Sequence, residues 1–513
     1  MNTSSVPEFD DMQGLLRFGH GQLPDSCFML IGISDAKAAG RWLQNAPVTT
    51  ATATRTPPTS AVQVAITPGG LKMLGLPQEV LNDFPDEYIV GMSGDEGRSR
   101  RLGDIDTNAP ENWFWGHHDA RKIHLLLMLY AREGEIKELK NETLTTDFNN
   151  AFRVIRVLPT DPLGTREPFG FVDGISQPVI DWRQTQPSDV HSRDTYSNLL
   201  APGEIVLGYP NEYGQFTPGP RIESTIANAA DSLPTARSDH DYRDLGKNGT
   251  YIVIRQLEQD VEGFWAYMNT QSDSDRHTAE HLASMMVGRD KDGAPLVPLS
   301  NQPIPGIPET HTRNHFNYDD DPHGKRCPIS SHVRRSNPRT GDFPPGTTGF
   351  WIRLIRFLGF GRTHEYEDTI ASSRFHRILR RGRTYGMTEP ETNTDNDDNP
   401  GKTGLHFICL AANIVRQFEF VQSAWSTSSA FAGLHRQRDP ITAHRQMRLN
   451  SSATDTFNYT DNEDGPVTVV DLPQFVTVRG GAYLFMPGIR ALNYLAQIAQ
   501  HNSGIDEQSE NST

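Results

Sequence analysis

The sequence predicts an α+β protein in which one strand–helix grammar is used twice. Three observations carry that reading. Short apolar runs alternate with helical stretches in two separated regions, long segments rich in Pro, Gly and Asp interrupt them, and 513 residues allow two to four domains at roughly 100–200 residues each. In the first region CFMLIGI (Cys27 to Ile33) leads into the helical DAKAAGRWLQNA. AVQVAI (Ala61 to Ile66) follows, then IHLLLMLYA (Ile123 to Ala131) with the charged helix EGEIKELKN, then FRVIRVL (Phe152 to Leu158). With the segment after Ile66 as an excursion, this β-α-β-β-α-β order is that of a ferredoxin-like sandwich. In the second region GTYIVIRQL (Gly249 to Leu257) leads into VEGFWAYMN, and GLHFICLAA (Gly404 to Ala412) leads into VRQFEFVQSAW. QFVTVRGGAYLFMP (Gln474 to Pro487) reads as a hairpin turning at Gly480 and Gly481, and GIRALNYLAQIAQ as an amphipathic helix. The expectation is two ferredoxin-like domains, each an antiparallel sheet with helices, over residues 1–230 and 231–513.

Composition narrows the partners. Lys and Arg total 48 against 64 Asp and Glu, a formal charge of −16, so a duplex or an anionic membrane is repelled and nucleic acid is not expected as a partner. Hydrophobic residues make up 36%, which fits a soluble protein with generous polar loops, while 24 Phe, 14 Tyr and 7 Trp are enough to nucleate cores. Cys27, Cys327 and Cys409 share no CxxC spacing. That argues against a disulfide framework or a thiolate zinc site and for a reducing, cytoplasmic home. The N-terminal stretch lacks the pattern of a signal peptide, and no run nears the ~18 apolar residues of a membrane span. The segments from about Pro159 to Asn248 and Gly293 to Gly349 exceed the ~12–15 residues usual for structureless loops. EPETNTDNDDNPGKT (Glu389 to Thr403) and the residues after Gln500 have the composition of mobile acidic segments.

Generic motifs fail on spacing. GFG at Gly359 to Gly361 lacks the third glycine of a dinucleotide loop, NPGKTG lacks the upstream glycine of a phosphate loop, and GMSGD is no nucleophile elbow. In DKDGAP (Asp290 to Pro295) the glycine arrives too early for an EF-hand, leaving a solvated turn. Three segments remain. EPFGFVDGISQPVI (Glu167 to Ile180) sets Asp173 between Gly170 and Gly174, a tight turn able to present one carboxylate, although alone it is an ordinary turn aspartate. RCPISSHVRRSNPR (Arg326 to Arg339) places His332 in a short helical stretch among four arginines, where a lone histidine is normally a surface residue or the partner of a carboxylate. FHRILRRGRTYG (Phe375 to Gly386) ends a strand-like or helical run in Arg380 and Arg381 before Gly382, by itself a solvated basic cap.

Together they supply an imidazole for an axial iron ligand, arginines for carboxylates, and a carboxylate with an arginine for handling a peroxide. The strings GFVDG, CPISSHVRRSNPR, ILRRGRTYG and GLHFICLAANIVRQFEFVQ resemble the dye-decolorizing peroxidases. PGEIVLGYPNEYG (Pro202 to Gly214) and FVTVRGGAYLFMPG (Phe475 to Gly488) are similar to that family as well. The family consists of haem enzymes built of two ferredoxin-like domains with the haem in the C-terminal one. The resemblance runs from Asp11 to about Tyr494. It implies that His332 is the proximal iron ligand, Asp173 the distal acid, Arg380 the distal arginine, and Leu405 with Phe407 the apolar pair roofing the distal pocket. Arg339 falls where the family has an arginine on a haem propionate. For the acidic partner of the proximal histidine the match is Asp439, in RDPI, with Glu419 as competitor in the helix at QFEF, where it would face solvent. Long inserts between Arg339 and Arg374, after Gly386, and between Arg448 and Pro466 resemble the large-loop subclasses.

The implied cofactor is haem b, and the implied partners are hydrogen peroxide and aromatic reductants. Dyes, phenols or other donors would be oxidised by one-electron steps through an oxyferryl intermediate. Bulky donors would surrender electrons at the haem edge or through surface Tyr or Trp; Trp425 is a candidate relay, with core packing as its commoner role. Two other readings use the same scaffold, a haem carrier or iron-release protein and cargo of a protein shell. Asp173 together with Arg380 favours the enzyme, since a carrier needs only the proximal side, and NSGIDEQSENST offers no apolar docking peptide.

Overall fold

In a computed structural model of the chain, the described residues are 6–184, 198–224, 230, 232–237, 239–272, 278–299, 313–339, 372–387, 402–445, 454–461 and 465–501. Most of the long inserts, the acidic segment 389–401 and the residues after 501 lie outside them. The first region folds as β1 (Asp25–Ile33), α1 (Ala36–Asn45), β2 (Ser60–Ile66), β3 (Leu125–Ala131), α2 (Ile136–Thr143) and β4 (Phe152–Pro159). Asp35 starts α1 by accepting the Ala38 amide at 2.7 Å, which satisfies one of the orphan donors of the first turn. The second region supplies β5 (Thr250–Gln259), α3 (Val261–Gln271), α4 (Ala279–Val287), α5 (His332–Ser336), β6 (Leu379–Arg380), β7 (Arg383–Tyr385), β8 (Gly404–Ala411), β9 (Val476–Met486) and α6 (Ile489–His501).

All nine strands join one antiparallel sheet in the order β6-β8-β5-β9-β2-β3-β1-β4, with β7 also on β8. The order β2-β3-β1-β4 of the first half recurs in the second, where β6 with β7, β8, β5 and β9 take the matching places. Each half is therefore the expected ferredoxin-like unit. The halves meet edge to edge through one register pair, Phe485 opposite Ile66.

Strand alternation divides the core in two. Leu125, Leu127, Leu129 and Ala131 of β3 enter one apolar cluster, and Leu126, Met128 and Tyr130 enter the other. Helices cover the first face. Gly40 on α1 lies so close to α6 that a Cβ there would sit 2.6 Å from the Ala496 carbonyl oxygen. The second face is covered by Met12, Leu15 and Leu16 of the N-terminal segment and by Ile205, Val206 and Tyr209.

The hairpin expected at Gly480 and Gly481 does not form. Val476–Met486 is one strand paired with β5 throughout, with a bulge between Val478 and Gly480. The glycines serve close packing instead: a Cβ on Gly480 would lie 2.5 Å from the Trp115 indole, and one on Gly481 2.7 Å from Met92 Sδ. A Gly-Gly pair gives the same sequence signal in either role.

Candidate haem site between two layers

Asp173 reaches the site because its loop is anchored at both ends. Phe169 and Phe171 are buried in a third apolar cluster with Phe264 and Met268 of α3, Phe169 stacking on Phe264 at 4.4 Å. The Glu167 carboxylate accepts the Phe169 and Phe171 amides at 3.0 Å each and a hydrogen bond from the Gln259 side chain at 2.9 Å. Gly174, at φ +82°, allows the left-handed turn beside Asp173.

Arg380 ends β6 directly opposite Cys409 of β8, so it shares a sheet face with Cys409, Phe407 and Leu405. Its Nη1 donates to Asp173 Oδ1 at 3.0 Å, and its backbone amide donates to Gln177 Oε1 at 3.0 Å. The Asp173 and Arg380 side chains keep 39% and 27% of their surface open. Burial pushes the Asp173 carboxyl up, but the Arg380 guanidinium and the Gly174 amide outweigh it and hold the group below the ordinary carboxylate range. Leu405 and Phe407 are half-buried, and the Phe407 ring lies 6.1 Å from Phe418.

The opposing layer is locked more tightly. His332 is the first residue of α5, and its Nδ1 lies 2.8 Å from Asp439 Oδ2. The other Asp439 oxygen accepts the Ile441 and Thr442 amides at 2.9 Å each. Burial pushes Asp439 up, yet His332 and these amides hold it far below its ordinary value. Burial likewise pushes His332 down, and Asp439 more than reverses this. An ionised Asp439 fixes the proton on Nδ1 and leaves Nε2 as the acceptor. His332 Nε2 has no hydrogen-bond partner among the described residues, and about a third of the side chain, 32%, stays open. The charges of Asp173 and Arg380 also bear on His332, so the two pairs lie near one another.

Three of the four arginines around His332 act as braces. Arg334 donates to Asp321 Oδ2 at 3.2 Å and to the Cys327 carbonyl at 2.8 Å. Arg335, fully buried, donates to the carbonyls of Trp425, Ser428 and Gln437 and so ties α5 to the chain that carries Asp439. Arg339 is also fully buried, donating to the Asn314 and Phe316 carbonyls at 3.0 and 2.9 Å and lying 3.8 Å over the Phe316 ring. Arg289 approaches the same ring at 5.2 Å, and burial together with the Arg339 charge lowers it to about 10. Its hydrogen bonds go to Ser176 Oγ and to two carbonyls, with no carboxylate among the described residues.

Glu419 does not face solvent. It is buried on two consecutive π-helical stretches, Val415–Glu419 and Val421–Ser426, and its Oε1 forms an ion pair with Arg98 Nε at 2.9 Å and accepts the Tyr483 hydroxyl at 3.0 Å. Trp425 is a core residue, packed edge-on against His376 and Phe420 at 5.2 and 5.3 Å. Sequence reasoning missed Gln177, Arg289 and Arg335; Gln177 sits inside the Asp173 string, but nothing in its type or spacing marks it as the tie to β6.

The residues present fit a haem. One imidazole offers a lone pair towards an open space, a proton-handling pair lies near it, and the Arg289–Arg339 pair gives the rim a positive charge suited to two acidic side arms. No protein-family model matches the chain. Among curated proteins it is 26% identical over 465 residues to a dye-decolorizing peroxidase of Mycetinis scorodonius, covering 87% of this chain and 78% of that one. Peroxidase 2 of the same fungus is 27% identical over 530 residues, covering 94% and 86%. Among solved structures, the dye-decolorizing peroxidase of Auricularia auricula-judae superposes with a TM-score of 0.68 at 21% identity, over 96% of this chain and 100% of that one. A DyP-type peroxidase of Anabaena sp. gives 0.66 at 22%, over 95% and 94%; at such identities the structures speak for the fold. These relationships make the chain a peroxidase, an oxidoreductase that takes peroxide as its acceptor. Its relatives, and the structures whose fold it shares, are dye-decolorizing peroxidases.

Proposed function

We propose that the chain is a haem b peroxidase that uses hydrogen peroxide to oxidise dyes, phenols and other aromatic donors one electron at a time. The observation that carries this reading is the nearness of two unlike, partly open pairs, His332 with Asp439 and Asp173 with Arg380, whose charges act on one another. Haem, when bound, would supply the redox chemistry, giving two electrons to peroxide as its O–O bond breaks and recovering them singly from donors. His332 would hold the haem iron through Nε2, with Asp439 accepting the Nδ1–H hydrogen bond and so raising the donor strength of the ring.

The remaining chemistry belongs to the distal pair. Asp173, ionised at rest, takes the proton from one peroxide oxygen and returns it to the other, which leaves as water. Arg380 aims a fixed positive charge at the oxygen on which negative charge builds up. Leu405 and Phe407 narrow the pocket, so bulky donors react from outside it. We assign Arg339, with Arg289, to the propionate side, the division of domains to about residue 230, and the inserts to the large-loop subclass. The three buried cysteines, unpaired among the described residues, support a reducing, cytoplasmic home, and no helix among the described residues is long and apolar enough to cross a membrane. A haem carrier, an iron-release protein or shell cargo would have no use for the Asp173–Arg380 pair.

The test is an absorption spectrum of the purified protein, loaded with hemin where needed, before and after peroxide. A haem band that changes on adding peroxide and returns with a phenolic donor is expected. A protein that stays colourless with added hemin refutes the reading.

A further inference from the structure

Gly382 separates two pairs of charges that the sequence runs together. Arg380 faces Asp173 on one side of the sheet. Arg383 stands opposite His406 on the other, and Arg381 reaches the same side, where its Nε donates to the Leu15 carbonyl at 2.9 Å. We propose that Arg381 and Arg383, roofed by the turn Gly19-His20-Gly21, bind a tetrahedral oxyanion of the phosphate class on the face of the sheet opposite the peroxide chemistry.

The first support is an uncompensated charge. Arg383 is 4% exposed, and none of the described groups whose charges act on Arg381, Arg383 or His20 is a carboxylate. The group whose charge would offset both arginines is Tyr130, whose ring lies 5.3 Å beneath the Arg383 guanidinium. Two like charges held largely out of water are costly unless something negative joins them. Carbonyl dipoles answer this only in part. Arg383 reaches Gly382, Gly19 and His20 oxygens at 3.3, 3.4 and 3.5 Å, the long and weak end of the hydrogen-bond range.

The second support is a set of donors with nothing to bind. Arg383 Nε and His20 Nε2 are buried and have no hydrogen-bond partner among the described residues. The two cations, added to burial, push His20 down to about 3, so its ring stays neutral and can turn an N–H towards an anion. His20 is held at φ +49° between two glycines, and the Gly19 and Gly21 amides make no hydrogen bond among the described residues. A Cβ on Gly19 would lie 3.8 Å from Arg381 Nη1, and one on Gly21 would meet nothing within 4 Å, so the roof is thin and one end is open. Only acceptors can complete the site, and guanidiniums favour the spaced oxygens of an oxyanion over a single halide.

The experiment is thermal unfolding and calorimetric titration of the full haem-loaded chain, with chloride exchanged for inorganic phosphate at constant ionic strength. At about 100 times the dissociation constant, phosphate should raise Tm by roughly 2–3 °C over chloride. The gain should vanish in Arg383→Leu and shrink in Arg381→Gln, the less buried position and the one expected to fold if Arg383→Leu does not. Glycerol 2-phosphate in place of phosphate identifies the source: equal stabilisation assigns the site to a phosphate ester, and none assigns it to the free anion. Equal Tm in phosphate and chloride, or an unchanged gain in Arg381→Gln, overturns the proposal.

Discussion

The two sides of the candidate haem site are built to opposite standards. Asp439 is wholly buried, takes three hydrogen bonds, and is tied through Arg335 and Ser426 to the helix behind it. Asp173 carries one side-chain ion pair and leaves more than a third of its side chain open. A group that must hold an imidazole in one orientation gains from rigidity, whereas a group that must pass a proton needs access and only enough restraint to be in place. The carboxylates are of one chemical type; their surroundings set the difference.

The comparison can be broken at its strongest point first. His332→Ala should lose most of the haem, measured as the ratio of haem absorbance to protein absorbance in preparations loaded side by side. Next, Asp173→Asn and Arg380→Leu should keep the haem and slow the reaction with peroxide by ~10²–10⁴-fold in stopped-flow traces; wild-type rates in both would reduce the pair to a turn and a cap. Asp439→Asn should cost ~10–100-fold in haem affinity or activity and raise the ferric/ferrous potential, because a weaker acceptor leaves the ring less electron-donating. Glu419→Gln is the control that sharpens this contrast. It should leave the potential alone but lower Tm, since it abandons the buried Arg98 charge, a loss on the order of 3 kcal/mol.

The smallest expected effect is a displacement along the pH axis. Asp173 sits below its ordinary value, so its carboxylate is available above that folded value, and the peroxide step slows as pH falls through it. In Arg380→Leu the lost cation lets Asp173 rise, and the acid limb of the rate profile should move to higher pH by about one unit or more. A limb that stays put would mean that another group titrates there.

Both ferredoxin-like units were legible because their strands are short apolar runs with caps and turns between them, and because β3 is apolar at every position. Gly480 and Gly481 misled because a glycine pair marks a turn and a close approach alike, and only the Trp115 indole, 365 residues away in sequence, decides between them. Asp439 was favoured over Glu419, but what Glu419 does instead was hidden for a similar reason. Both are acids after the same strand, and the difference lies in Arg98 and Tyr483, partners that no local pattern connects to Glu419.

The contact of Gly40 with Ala496 bears on how the chain is made. A ribosome releases β1, α1, β2 and β3 long before α6 exists, so the side of α1 that packs on α6 and the unpaired edge of β2 stay uncovered during the synthesis of more than 400 residues. The first half can reach its native packing only after translation of the second, which makes slow synthesis or truncation upstream of Ile489 a direct route to aggregation.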